Sequence, residues 1–222
     1  MNRTSAVLAR HDGRMWILDI LAPPSCVFCG LTSEGDERSI CRGCYEDLPW
    51  NEPQLSPTPG IFECSIAVVR YAFPVDAAIK AFKFNRKLYY APAFAELLSE
   101  AAQSLPPDID AVLPVPLHWR RKATRGFNQA SEIAGPVAKF MGLPLLQGVR
   151  RQKATPFQSG LAAKDRVRNL RDAFETTRVL SQRHVLIVDD VVTTGATMRA
   201  LAKVLLNNGV SKVSSLTVAR AG

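Results

Sequence analysis

Asp189 and Asp190 stand side by side after the apolar run Val185-Leu186-Ile187-Val188, and beyond Val191 and Val192 comes a hydroxyl-rich series, Thr193-Thr194-Gly195-Ala196-Thr197. Paired carboxylates accept hydrogen bonds from sugar hydroxyls, the use that dinucleotide folds make of an acid on a ribose. Small residues opening a helix suit a phosphate: free backbone N–H groups and the positive end of the helix dipole face it, and threonine hydroxyls add donors. Together these parts describe a ribose 5-phosphate cradle. No Gly-Lys-Ser/Thr follows the turn, which excludes an ATPase-type phosphate loop. A buried strand, acidic turn and capped helix is the plainer alternative, since Asp and Thr favour helix starts. Two adjacent acids ahead of Thr-Thr-Gly-Ala-Thr are more than a cap requires.

Cys26-Val-Phe-Cys29-Gly30 and Cys41-Arg-Gly-Cys44, with eleven residues between Cys29 and Cys41, form a second group. Each pair places two thiolates on one tight turn, and two such turns complete a tetrahedral site for a structural zinc ion; a redox pair or unrelated core cysteines is the alternative. A closed four-sulfur set leaves no open position for catalysis. A module this small buries little core, so the metal would supply most of its folding energy. Cys64, alone beside Ile66–Val69, reads as a small buried hydrophobe.

Positive charge is the third. Span 118–171 holds twelve Lys and Arg against Glu132 and Asp165, a net +10 in a chain whose total is +8, so the remainder is slightly acidic. Concentration of this kind implies a polyanionic partner, either pyrophosphate or nucleic acid. The charge is densest in the loop from Pro116 to Gln129, which includes Arg120, Arg121, Arg125, Gly126, Phe127, Asn128 and Gln129. Gly126 would let the backbone approach an anion, and Arg125 offers a forked donor. Trp119 and Phe127 either stack on a base or pack the loop. A second basic and aromatic cluster, Lys80, Lys83, Phe84, Arg86, Lys87, Tyr89 and Tyr90, reads either as a solvated helix end or as a base-stacking contact. His11, His118 and His184 share no ligand spacing; only His118 lies beside the expected site.

These groups need elements to hold them. Val185–Val188 reads as a strand buried on both faces, ending on the two acids. Met198, Leu201, Ala202 and Leu205 form the apolar face of the helix that follows, stopped at Asn207-Asn208-Gly209, and Val210–Val218 supplies a last strand. Ile66–Tyr71 and Ala111–Val115 read as strands, with helical faces at Val75/Ile79/Phe82, at Phe94/Leu97/Leu98/Ala101, and from Ala130 to Met141 before Gly142. Strand and helix alternate, so the expected class is α/β, an open, mainly parallel sheet with helices on both faces and a small N-terminal zinc-finger module. In such a sheet the strand-to-helix junctions share one edge, which puts the basic loop and the acid pair on one crevice. The long basic connection Gly148–Arg171 reads as a lid or binding segment.

Val185–Thr197 resembles the phosphoribosyl-pyrophosphate (PRPP) signature of type I phosphoribosyltransferases. The resemblance implies ribose 2- and 3-hydroxyls on Asp189 and Asp190, the 5-phosphate on Thr193, Thr194, Gly195, Ala196 and Thr197, and Mg²⁺ arriving with the PRPP-type ligand. Purine-base transferases of this fold often carry an Asp where Thr193 stands, so catalysis is left open. Pro-Val-Pro-Leu ahead of an arginine-rich loop, then Arg125-Gly-Phe-Asn-Gln129, together with the four-cysteine module, is similar to the ComF (ComFC) family of competence proteins. That likeness implies a pyrophosphate-side loop at Arg125–Gln129, a mobile loop from Arg150 to Phe174 with Arg151, Lys153, Gln158 and Arg166, and a role in DNA uptake during natural transformation.

With 222 residues and 47% hydrophobic content the chain can bury one sizeable core plus an accessory module. The expected division is a disordered tail over 1–14, the Cys₄ zinc module over 15–48, a proline-rich linker over 49–60 and the phosphoribosyltransferase-like domain over 61–222. No apolar run is long enough to span a bilayer, and Asp19 interrupts the short run Trp16–Ala22, so the expected location is cytoplasmic. Three functions compete: a PRPP-site protein of DNA uptake that also contacts single-stranded DNA, a catalytic phosphoribosyltransferase of nucleotide salvage, and a DNA-binding adaptor with a vestigial pocket. In the last, the zinc module docks a DNA-uptake protein. Charge beyond what one pyrophosphate needs favours the first; two retained acids argue against the last.

Overall fold

The computed structural model describes residues 25–32, 38–51, 60–118, 123–124, 126–152 and 173–222. The expected tail, the start of the expected zinc module and most of the expected linker lie outside these residues. In chain order the elements are α1 (Arg42–Glu46), β1 (Ser65–Arg70), α2 (Val75–Phe84), α3 (Tyr90–Ala102), β2 (Ala111–Pro114), α4 (Gln129–Met141), β3 (Val149–Arg151), β4 (Phe174–Thr176), β5 (His184–Val192), α5 (Ala196–Asn207) and β6 (Lys212–Arg220). Four strands form one parallel sheet in the order β1-β6-β5-β2, and β3 pairs antiparallel with β4.

Alternation along β5 divides the core into two layers. Leu186 and Val188 join Phe82, Phe94, Leu97, Leu98 and Ile133 of α2, α3 and α4 on one face. Val185 and Ile187 join Met198, Leu201 and Leu205 of α5 on the other. Both faces are covered, as a parallel sheet with an unbroken Val-Leu-Ile-Val strand requires. At the N-terminal edge, His184 lies 3.0 Å from Asp108 Oδ1 through Nδ1 and 2.8 Å from Ser214 Oγ through Nε2. This has the order of a hydrolytic triad, but Ser214 is wholly buried, so the set is a pin between the starts of β5 and β6.

Neither sheet edge is bare. Arg70 N–H donates to Pro49 O at 2.7 Å, Asn51 N–H to Val68 O at 3.1 Å, and Trp50 bridges Val69, so residues 49–51 lie antiparallel along β1. On the other side Val112 N–H donates to Pro144 O at 3.0 Å, and Leu146 N–H to Val112 O at 2.8 Å.

Several boundaries differ from expectation. β5 does not end on the acids; it continues to Val192, because β-branched Val191 and Val192 still pair with Ala219 and Arg220 of β6. What ends at the acids is the pairing with β2, whose last bond runs from Val115 N–H to Val188 O. The last strand begins at Lys212, since Val210 N–H is used by Leu205 O to close α5. The antiparallel pair β3–β4 differs from expectation too: its strands are three residues each, β3 at the start of the stretch read as a lid and β4 just beyond its end.

Candidate functional site

β5 and α5 position the acid pair and the small-residue turn. Extended geometry sends Asp190 to the α2–α3–α4 side, as it does Leu186 and Val188, and Asp189 to the side of α5. Asp190 is 3% exposed, and its Oδ1 accepts from Lys83 Nζ of α2 at 2.8 Å. Its Oδ2 is buried with no hydrogen-bond partner among the described residues. The Asp190 N–H donates to Asp189 Oδ1 at 2.9 Å. Burial, reinforced by the neighbouring Asp190 charge and only partly opposed by Lys83, pushes the Asp189 carboxyl up to about 7.

Gly195 caps α5 with φ +69, where an added Cβ would lie 2.9 Å from Arg199 Nη1. The backbone conformation favours glycine, while the close approach falls on the flexible end of the Arg199 side chain. Ala196 N–H reaches Thr194 Oγ1 at 3.4 Å, while Arg199 Nη2 donates back to Thr194 O at 2.6 Å. The turn therefore offers first-turn N–H groups, threonine hydroxyls and a guanidinium together, all suited to an anion.

The second junction, from β2 to α4, opens at the same edge of the parallel sheet. Arg120, Arg121 and Arg125 lie outside the described residues; Gly126 to Gln129 lie within them. Gly126 has φ +84, and the Arg86 guanidinium packs against it, with Arg86 Nη2 donating to Thr124 O at 3.1 Å. Asn128 precedes α4 and ties the loop to its origin through Nδ2 to Val115 O at 3.1 Å. Gln129 is 3% exposed, its Nε2 without a partner among the described residues. Phe127 packs its ring 5.7 Å from that of Phe82, so the structure favours loop packing over base stacking for it. His118 is buried, its Nε2 3.2 Å from Gln152 O, which joins this loop to the hairpin. A cleft of about 630 Å³ lies beyond β2, bordered by Pro114, Pro116, Asn128, Ser131, Arg150 and Gln152.

Of the residues assigned to the mobile loop, Arg151 sits in β3 with its guanidinium 5.4 Å from the Phe174 ring centroid. Strand pairing with Phe174 places it at the base of the hairpin, where the long connection begins. Lys153, Gln158 and Arg166 lie outside the described residues.

The four cysteines converge. The Sγ atoms of Cys26, Cys29, Cys41 and Cys44 all lie within 4.8 Å of one another, and Cys29 and Cys41 are 3.7 Å apart. Four sulfurs about 2.3 Å from one tetrahedral ion are separated by about 3.8 Å, so the donor set fits a structural metal. Gly30 N–H donates to Cys26 O at 2.8 Å with φ +74, closing the first knuckle, and α1 carries the second. Burial opposes the Cys26 thiolate, but backbone N–H groups of Cys29, Cys41 and Phe28 outweigh it and bring the thiol down to about 6. The cluster sits away from the acids, docked on α3: Ser39 donates to Glu96 through N–H and Oγ, Tyr45 Oη to Glu100 Oε2 at 2.7 Å, and Cys26, Ile40 and Leu48 share the core of Phe94. Cys64 is buried and its thiol is pushed up by burial, as an inert core residue should be.

Sequence reasoning passed over Lys83 as part of a basic patch and did not single out Arg199. Lys83 had a signal: it lies four residues after Ile79, inside the apolar stripe of α2, where a lysine needs a partner. Arg199 had none, because a side chain folding back on its own helix start looks like any surface arginine.

A model of the phosphoribosyl transferase domain matches residues 123–222. The chain is 33% identical over 202 residues to DNA utilization protein YhgH of Shigella flexneri, covering 85% of this chain and 86% of that protein. It is 34% identical over 211 residues to competence protein F of Haemophilus influenzae, covering 89% and 85%. Competence protein ComFC of Bacillus subtilis is 30% identical over 199 residues, covering 88% and 77%.

Proposed function

This chain belongs to the family of competence protein F, ComFC and YhgH, built on a phosphoribosyltransferase-type domain with an N-terminal four-cysteine cluster, and on that premise we propose that its crevice binds a phosphoribosyl ligand such as PRPP in the handling of incoming DNA. The observation that carries this is the β5–α5 junction, where two acids precede a glycine-capped turn lined by threonine hydroxyls and Arg199. The 5-phosphate meets the turn from Thr193 to Thr197. The ribose hydroxyls donate to Asp189 and to the unpartnered Oδ2 of Asp190. Lys83 already balances Asp190, so Mg²⁺ is held by the ligand's phosphates and not by these acids. Pyrophosphate oxygens face Gly126–Gln129, and the arginines of the same loop contact single-stranded DNA. The four cysteines hold a structural Zn²⁺.

Titration calorimetry with PRPP and Mg²⁺ tests the reading. Binding by the wild type and its loss in Asp189→Asn with Asp190→Asn, with metal content unchanged, is the expected result. Equal affinity in the double variant would remove the acids from the site. Repeating the titration with a single-stranded oligonucleotide present shows whether the two ligands compete.

A further inference from the structure

The link between α2 and α3, Phe84-Asn85-Arg86-Lys87-Leu88-Tyr89, has all six side chains exposed. Phe84 is 61%, Leu88 44% and Tyr89 51% accessible, an apolar display that the core does not explain. Between Asp76 and Glu96 the chain has no acid and four cations, Lys80, Lys83, Arg86 and Lys87. Lys80 and Lys83 are engaged by Asp76 and Asp190, so Arg86 and Lys87 supply the charge of the corner. Tyr89 packs against Tyr90, ring centroids 4.5 Å apart, and still leaves half of its surface exposed, with Lys87 Nζ 5.9 Å from its ring centroid.

The corner is also strained. Arg86 has φ +54, the only positive φ at a non-glycine residue among those described. Asn85 and Lys87 N–H both donate to Ala81 O, closing α2 with a left-handed residue at the position glycine usually takes. A residue with a Cβ adopts this conformation at a cost, and such strain concentrates where the side chain it places has a use. Here the side chain is a guanidinium set between the corner and Gly126 of the basic loop.

The geometry points to the α2–α3 corner as a docking surface for single-stranded nucleic acid, with bases stacking on Tyr89 and Phe84 and with Arg86 and Lys87 meeting backbone phosphates. This rests on the proposal that the protein contacts single-stranded DNA, and adds where the chain lies and which residues read it. Exposed aromatic faces beside cations suit a polyanion whose bases are free; a duplex keeps its base faces stacked.

Fluorescence anisotropy of a labelled oligodeoxythymidylate, on full-length metal-loaded protein over a salt series, is the test. Tyr89→Ala weakens binding about tenfold with the salt slope unchanged, because it removes stacking alone. Arg86→Gln with Lys87→Gln flattens the slope of log affinity against log salt by about 1.4, two phosphate contacts' worth for a single strand. Arg86→Gly relieves the strained φ, so it keeps the thermal midpoint and still weakens binding, separating recognition from folding. Wild-type affinity in all three variants overturns the surface while leaving single-stranded DNA binding elsewhere intact. No binding by the wild type ends both proposals. A duplex of equal length competing as well as the single strand, with Tyr89→Ala silent, makes this an unspecific polyanion patch and overturns stacking.

Discussion

Replacing Lys83 by methionine keeps the length and apolar stem of the side chain and deletes the charge that faces Asp190. Removing one partner of a buried ion pair costs about 3–5 kcal/mol, because the other charge is left unpaired. The Lys83 side chain is 24% exposed and that of Asp190 5%, which selects the lower end, about 3 kcal/mol. Proton uptake limits the loss. Asp189 titrates at about 7 when folded, well above its unfolded value. Its stabilising contribution is therefore full below the unfolded pKa and is lost as pH rises through about 7. Without Lys83 the repulsion between the two acids is opposed only weakly, by the Asp190 N–H that donates to Asp189, and the protonated window extends upward. The deficit of Lys83→Met relative to wild type accordingly widens from about pH 6 to about pH 8, by up to about 1.4 kcal/mol per pH unit for one proton. Urea unfolding followed by circular dichroism, with metal held constant, measures it. Lys83→Met with Asp190→Asn should recover more than half of the loss, since the orphaned charge is gone. A deficit below about 1 kcal/mol that is flat with pH, and no recovery in the double variant, would mean the pair is screened like a surface contact and refute the argument.

Gly195→Ala places a Cβ at φ +69 and 2.9 Å from Arg199 Nη1, so it should lower stability by about 1–2 kcal/mol and weaken ribose 5-phosphate binding; thermal melts and calorimetry read both. The part of sugar-phosphate affinity that depends on Asp189 should rise with pH up to about 7, tenfold per unit at most, because hydroxyl donors favour the ionised acid. The groups facing that acid are Asp190 and Lys83, and subtracting the Asp189→Asn profile removes the ligand's own phosphate ionisation. Metal analysis should find one ion per chain, absent in Cys41→Ser, with Trp50 emission changed as its edge-on contact with Tyr45 loosens. An unaltered emission in the metal-free variant would count against a metal-dependent fold of that region.

Much of the site was legible because its chemistry is local in the chain. The apolar strand run, the two acids and the threonine turn occupy thirteen consecutive residues, Val185 to Thr197, and paired Cys-x-x-Cys knuckles carry their geometry in their spacing. Phe127 showed an aromatic in a basic loop, but only its contact with Phe82 decided between stacking and packing. The end of β5 was misjudged because the acids break the hydrophobic pattern while the backbone ladder to β6 does not depend on side-chain polarity. Strands as short as β3 and β4 leave no period to detect. Lys83 and Asp190 are separated by more than a hundred residues, so their pairing is a property of the packed layers.

The borders of the parallel sheet bear on how the protein behaves when it is cut. Pro49, Trp50 and Asn51 occupy the free side of β1, with Asn51 Nδ2 also donating to Ala67 O and Val69 O, and residues 144–146 occupy that of β2. An unsealed strand is a template for a neighbouring chain. Expression of the sheet domain from residue 60 onward would therefore yield aggregates even with the crevice intact, and a soluble truncation has to begin before Pro49. Self-association of the intact protein through either border of the parallel sheet would first have to displace these segments.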